Sequence, residues 1–128
     1  MPIDLAAARV IPPDVEVIGV PIGAGRSVLA DADVEIDVGF LERRGFDGRI
    51  GEAQALLADD GSTVVALGVG DADKVGPEAV RRAAAALVRS AGAATAAALV
   101  LPGGADGPDG WQAAAEGALL AAYRYTAF

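Results

Sequence analysis

Polar and apolar positions change their spacing several times along the chain, and each change marks an element. DVEVIGV (14–20) alternates apolar and polar residues and then turns wholly apolar, which predicts a strand. PIGAGR (21–26) follows as a glycine-rich loop. DVGFLERRGF (37–46) reads as a short helix, with Asp37 as cap, Phe40 and Leu41 facing inward and Gly45 as terminator. EAQALLADDGSTVVALGVG (52–70) is the clearest local signal. Two apolar runs flank Asp59-Asp60-Gly61, the pattern of a hairpin. The second run is continuously apolar and is expected to be a central strand.

PEAVRRAAAALVRSAG (77–92) predicts a strong helix, with Pro77 in its first turn and Gly92 at its stop. Val80, Ala83, Ala84, Leu87, Val88 and Ala91 form one apolar face, while Arg81, Arg82 and Arg89 lie largely off it. TAAALVL (95–101) is expected to be a buried strand, although alanine is a poor strand former. A final helix begins near Asp109, with Trp111, Ala115, Ala118, Leu119 and Ala122 on one stripe. Residues 1–13, ending in Pro12-Pro13, read as an arm. Strands alternating with helices, plus one hairpin, give an α/β layered domain with a mixed sheet.

Length and composition narrow the class. A chain of 128 residues is expected to form one domain with a real core, and its 53% hydrophobic content suffices for one. Mean hydropathy is +0.40, yet no apolar run reaches the roughly 20 residues that span a bilayer, so no membrane partner is expected. The N-terminus carries an early acid and no basic region, unlike a signal peptide. With no cysteine there is neither a disulfide framework nor thiolate chemistry, which fits a cytoplasmic protein. The net charge of −8 opposes nucleic-acid binding, which relies on Lys and Arg neutralising phosphates. Histidine is absent, and with it the commonest general base and transition-metal ligand.

Four constellations invite chemistry. In ALGVGDAD (66–73), Gly68 and Gly70 suggest a dinucleotide loop, but the third glycine position holds Asp73, which would repel a pyrophosphate. PGGADGPDG (102–110) precedes a helix but contains no Lys or Arg, and Asp106 and Asp109 add negative charge. Asp31, Asp33, Glu35, Asp37 and Glu42 have the spacing of a calcium loop. Ile36, however, stands where such a loop needs glycine. Ser27, Ser62 and Ser90 show no obvious catalytic base in the sequence, and the single lysine, Lys74, beside Asp73, suggests an exposed turn. These segments therefore read as connections, and no catalytic, cofactor-binding or metal-ligating residue is assigned.

Three stretches taken in order resemble the N-terminal domain of the leucyl aminopeptidases, peptidase family M17. FLERRGFDGRIGEAQALL (40–57) is similar to the family's helix, "GF-x-G-x-x-G-E" and strand. VVALGVGDADKVGPEAVRRAAAALVR (64–89) is similar to its "v-L-v-G-L-G" strand, loop and following helix. EGALLAAYRYTAF (116–128) resembles its "E-G-x-L-L-x-x-Y-x-F" helix end, with Tyr125 where the family has Phe. The resemblance runs over roughly residues 14–128.

It implies a three-layer α/β/α fold similar to a macro domain. It also implies that the chain is one non-catalytic domain, which in the full protein assists homo-oligomer assembly and access to the active site. The family's chemistry is removal of N-terminal residues from peptides by two divalent metals, zinc or manganese, in a second, C-terminal domain. The ligand motif "NTDAEGR" has no match here, so no metal ligand is carried over. The macro-like likeness leaves an alternative open, a free-standing module that binds ADP-ribose or another nucleotide through loops 21–26, 68–76 and 102–110, or a regulatory interaction domain.

Both tyrosines of the chain and one of its three phenylalanines fall within residues 123–128. Chain ends fray by default, so aromatics there call for cover. The resemblance makes Tyr123, Tyr125 and Phe128 the start of a segment covered by the catalytic domain. The residues alone equally allow them to dock back on this domain.

Overall fold

The computed structural model describes residues 15–29, 36–58, 61–91, 96–101, 109–110 and 112–117. The elements, in order, are β1 (Val17–Gly23), β2 (Ser27–Val28), α1 (Val38–Arg43), β3 (Ala53–Leu57), β4 (Thr63–Gly70), a 3-10 turn (Ala72–Lys74), α2 (Pro77–Ala91) and β5 (Ala97–Leu99). Residues 109–110 and 112–117 are also helical.

The strands form one five-stranded sheet with the order β2-β1-β4-β3, and β5 also pairs with β1. The sheet is mixed, as the sequence suggests. β4 and β5 run parallel to β1, whereas β2 and β3 run antiparallel to their neighbours. The predicted hairpin is present, with Ala55 opposite Val65 and Leu57 opposite Thr63. Val64 through Val69 of β4 are all buried, as expected of a central strand.

The two faces of the sheet carry separate clusters, because side chains alternate across a strand. On one face Val17, Val65, Leu67 and Val69 meet Ala79, Ala83, Ala86 and Leu87 of α2. On the other, Val20, Ile22, Val64 and Ala66 meet Leu41 of α1 and Phe46 just beyond it. α1 has the predicted start and stop. The Asp37 carboxylate accepts from the Phe40 amide at 3.0 Å, and Gly45 follows the helix at φ 76°. Leu41 is buried but Phe40 is only half-buried; Phe46 takes the deeper place. On α2, Ala79 and Ala86 join the predicted face, while Val88 and Ala91 are half-buried.

Two expectations need correction. Residues 21–23, expected in a loop, continue β1. Proline is tolerated there because of where its nitrogen faces. The Gly19 carbonyl accepts from Val100 and the Pro21 carbonyl from Leu29, so both residues face the flank away from β4. The missing N–H lies where β5 gives way to β2, outside the β1–β4 ladder. Second, the strand expected over 95–101 is limited to Ala97–Leu99 and is exposed to half-buried, because it borders β1 with small side chains.

The last helical stretch buries Gly110, Ala113 and Gly117; of the expected stripe only Ala115 is among the described residues, and it is half-buried. Close approach to α2 accounts for Gly117, whose added side chain would overlap the Arg81 carbonyl, and for Ala113, which packs on Val80. The side chain of Trp111 and residues 118, 119 and 122 lie outside the described residues.

Candidate functional site

Two junctions gather the residues that the sequence singles out, and in both a glycine lets backbone meet backbone. The first lies at the carboxyl end of β1 and β4, where loop 45–52 crosses. Gly48 sits at φ 89°, and a side chain on it would run into the Gly23 carbonyl. A side chain on Gly68 would run into the Arg49 carbonyl. The loop is stitched to β4 by Gly68 N–H to Glu52 O (2.8 Å) and Gly70 N–H to Gly48 O (2.9 Å).

The polar groups of this junction satisfy one another. The Glu52 carboxylate accepts from the amides of Asp47 (3.2 Å) and Arg49 (2.7 Å), folding the loop on itself. Asp47 pairs with Arg26 at 2.8 Å and with Arg49 at 3.2 Å. Arg26 also donates to the Phe46 carbonyl at 3.4 Å, and its own φ is 66°. An arginine in this left-handed region is uncommon, and its bonds to the loop hold it there. The amides of Ala24, Gly25 and Arg26 donate to Gly70, Asp47 and Gly23. All three are committed within the fold, so this turn has no free amide with which to cradle a phosphate.

The second junction joins α2 to residues 112–117. A side chain on Gly117 would overlap the Arg81 carbonyl. Val80 and Ala113 are buried together there, with Val75, Leu101 and Ala114 around them. Arg81 pairs with Glu78 at 2.5 Å and lies 3.7 Å from Glu116. Arg82 pairs with Glu78 at 3.0 Å. The hydrogen bonds from Arg82, then Arg81, hold the Glu78 carboxyl below the usual carboxylate range. A shallow groove of about 200 Å³ runs between the two helices, lined by Pro77, Arg81, Asp109, Gln112, Ala113 and Glu116.

The other candidates scatter. The Asp71 carboxylate accepts from the Asp73 amide at 3.0 Å and caps the 3-10 turn that carries Lys74. This is the exposed acidic turn expected after β4. Most of the acidic segment 31–37 lies outside the described residues, as do 102–108, Tyr123, Tyr125 and Phe128. Among the described residues no three His, Cys, Asp or Glu side chains converge in a way that could hold a metal. Asp47 and Glu78 are taken up by arginines and Glu52 by loop amides. These donor sets do not fit the family's divalent metals. None of the described helices is long and apolar enough to cross a membrane.

Sequence reasoning missed the part that Arg26 and Arg81 play. The signal that could have found them is the glycine spacing itself. Gly48 and Gly117 each mark a backbone contact, and the arginine beside each contact bonds across it.

Comparison with known proteins gives these junctions a context. Residues 38–128 match the model of the cytosol aminopeptidase family, N-terminal domain. A probable cytosol aminopeptidase of Streptomyces coelicolor is 37% identical over 137 residues, covering 96% of this chain and 26% of that protein. Among solved structures, the bottromycin maturation enzyme BotP superposes with a TM-score of 0.67 at 33% identity, covering 89% of this chain and 24% of that one. BotP in complex with Mn gives the same values. The chain thus spans about a quarter of the length of these relatives. Both junctions fall within the matched residues or bond directly to them, and the chain belongs to the cytosol aminopeptidase family, peptidase M17, as its N-terminal domain.

Proposed function

We propose that this chain is the non-catalytic N-terminal domain of a metal-dependent aminopeptidase that removes N-terminal residues from peptides. The observation that carries this is the use made of the family's motif residues. Gly48, Glu52, Gly68 and Gly117 all serve packing and loop closure. Residues spent in this way hold a scaffold together and leave chemistry to another domain. The two divalent metals, zinc or manganese, would sit in that catalytic domain, outside this chain. The domain's own work would be homo-oligomer assembly and shaping access to the metal site. Tyr123, Tyr125 and Phe128 would pack against the catalytic domain. The amides of turn 24–26 are already committed within the fold, which weighs against the nucleotide-binding alternative at that loop.

The test is the size of the native product, read by immunoblot of source cells with an antibody against this domain. A band several times heavier than 12.7 kDa is expected. A band at 12.7 kDa would mean a free-standing module and overturn the reading.

A further inference from the structure

Strand β3 ends the sheet order, and no described strand pairs with its outer side. The Glu52 carbonyl and the Ala58 amide both bond inward, to Gly68 and Ser62. By strand alternation, Gln54 and Leu56 also turn their backbone groups toward β4. Ala53, Ala55 and Leu57 then turn theirs outward. The side chains of these same three residues are exposed, and Leu57 is 80% exposed. They lie on the α2 face of the sheet, opposite Leu67, Val65 and Thr63, and stay exposed although α2 approaches β3. Natural edges are guarded by Lys, Pro, bulges or inward charges. AQALL has none of these, and its ladder with β4 runs without a register shift. The outward carbonyl of Ala55 accepts from the Gln54 side chain at 3.0 Å.

We propose, resting on the assembly role above, that β3 is an interface for a second copy of this chain, paired antiparallel to itself across a twofold axis at Ala55. Three features select a copy of the chain as the occupant. First, the register closes. A twofold at Ala55 sets Ala55 against its twin and Ala53 against Leu57 of the other copy. All of these are outward-facing residues, and each such pair exchanges two N–H···O bonds. Second, the shapes fit, because each exposed leucine meets an alanine that leaves it room. On the opposite face Gln54 meets Leu56. Third, charge permits it. Two copies at −8 each repel, yet this strand is neutral and the register brings Glu52 opposite Ala58. The Gln54 amide on the Ala55 carbonyl is a self-made cap that the twin's amide would replace.

The chain has no cysteine, so single-cysteine variants report the register without background. A hydrogen-bonded antiparallel pair places its Cα atoms about 5.5 Å apart, within disulfide reach. Under mild oxidation of the full chain, Ala55→Cys should cross-link to itself. Ala53→Cys should not, but should cross-link to Leu57→Cys when the two are mixed. In sedimentation velocity over a concentration series, Leu57→Lys should weaken association at least tenfold. Its fold is monitored by circular dichroism.

Failure of Ala55→Cys to cross-link, or equal cross-linking at all three positions, would overturn the proposal. So would capture of the edge by a different chain or peptide in place of the twin. If wild type and Leu57→Lys associate equally, copies assemble through another surface. The β3 interface then falls while the assembly role stands. A wild-type chain that stays monomeric throughout sinks both.

Discussion

β3 and β4 are the two arms of one hairpin, and neither carries a charge, yet they have opposite surroundings. β4 lies between β1 and β3, and Leu67 on it is completely buried. β3 has a partner on one side only, and Leu57 near its end is 80% exposed. The difference follows from what meets each edge and each face. Loop 45–52 extends the β3 side of β4 through Glu52 and Gly48, so β4 keeps a partner to its last residue. Beyond β3, no described residue plays that part. Hydrophobicity alone therefore does not mark a core strand. Its neighbours do.

Five substitutions or conditions sharpen this contrast, from the largest expected effect to the smallest. Gly48→Ala forces a side chain into the Gly23 carbonyl from a left-handed backbone. It should cost about 4 kcal/mol or more and leave much of the chain unfolded in a urea titration. Leu67→Ala should cost about 3 kcal/mol by the same titration, as a buried leucine truncated to a cavity. Gly117→Ala should cost about 1–3 kcal/mol through overpacking on α2, with loss of hydrogen-exchange protection centred on residues 112–117. Leu57→Ala, the same change as at Leu67 but on the other arm, should stay within about 0.5 kcal/mol at concentrations where the chain is monomeric. Equal losses at Leu57 and Leu67 would break the comparison.

The smallest effect is a response to pH at Glu78. Its folded pKa is depressed, so the support it gives α2 is complete above the ordinary glutamate range. That support disappears as the pH falls through the lower folded value. Acid titration of wild type against Glu78→Gln should therefore converge at low pH and differ only slightly at neutral pH, where the side chain is exposed.

Much of the fold was legible because it was written in period. The hairpin, α1 with its Asp37 cap, and the apolar face of α2 all follow from spacing and capping residues. The corrections share a cause, the dependence of a residue's role on a partner distant in sequence. Pro21 reads as a strand breaker until the flank it faces is known. Gly110 and Gly117 carry no hydrophobic signal, so their burial was not legible from the larger residues of the last helix. Gly48 stands in the sequence only as a motif glycine, whereas its contact is with Gly23, on β1. The bare side of β3 is likewise invisible in AQALL, which reads as one more apolar run.

The central claim is that this domain is a scaffold whose motif residues are spent on packing. It is tested most directly by offering the purified 128-residue chain a leucyl chromogenic substrate with added manganese or zinc. No release above the metal-only control is predicted. Saturable turnover that is lost on chelation would contradict the account, because it would require a metal site that the described residues do not provide.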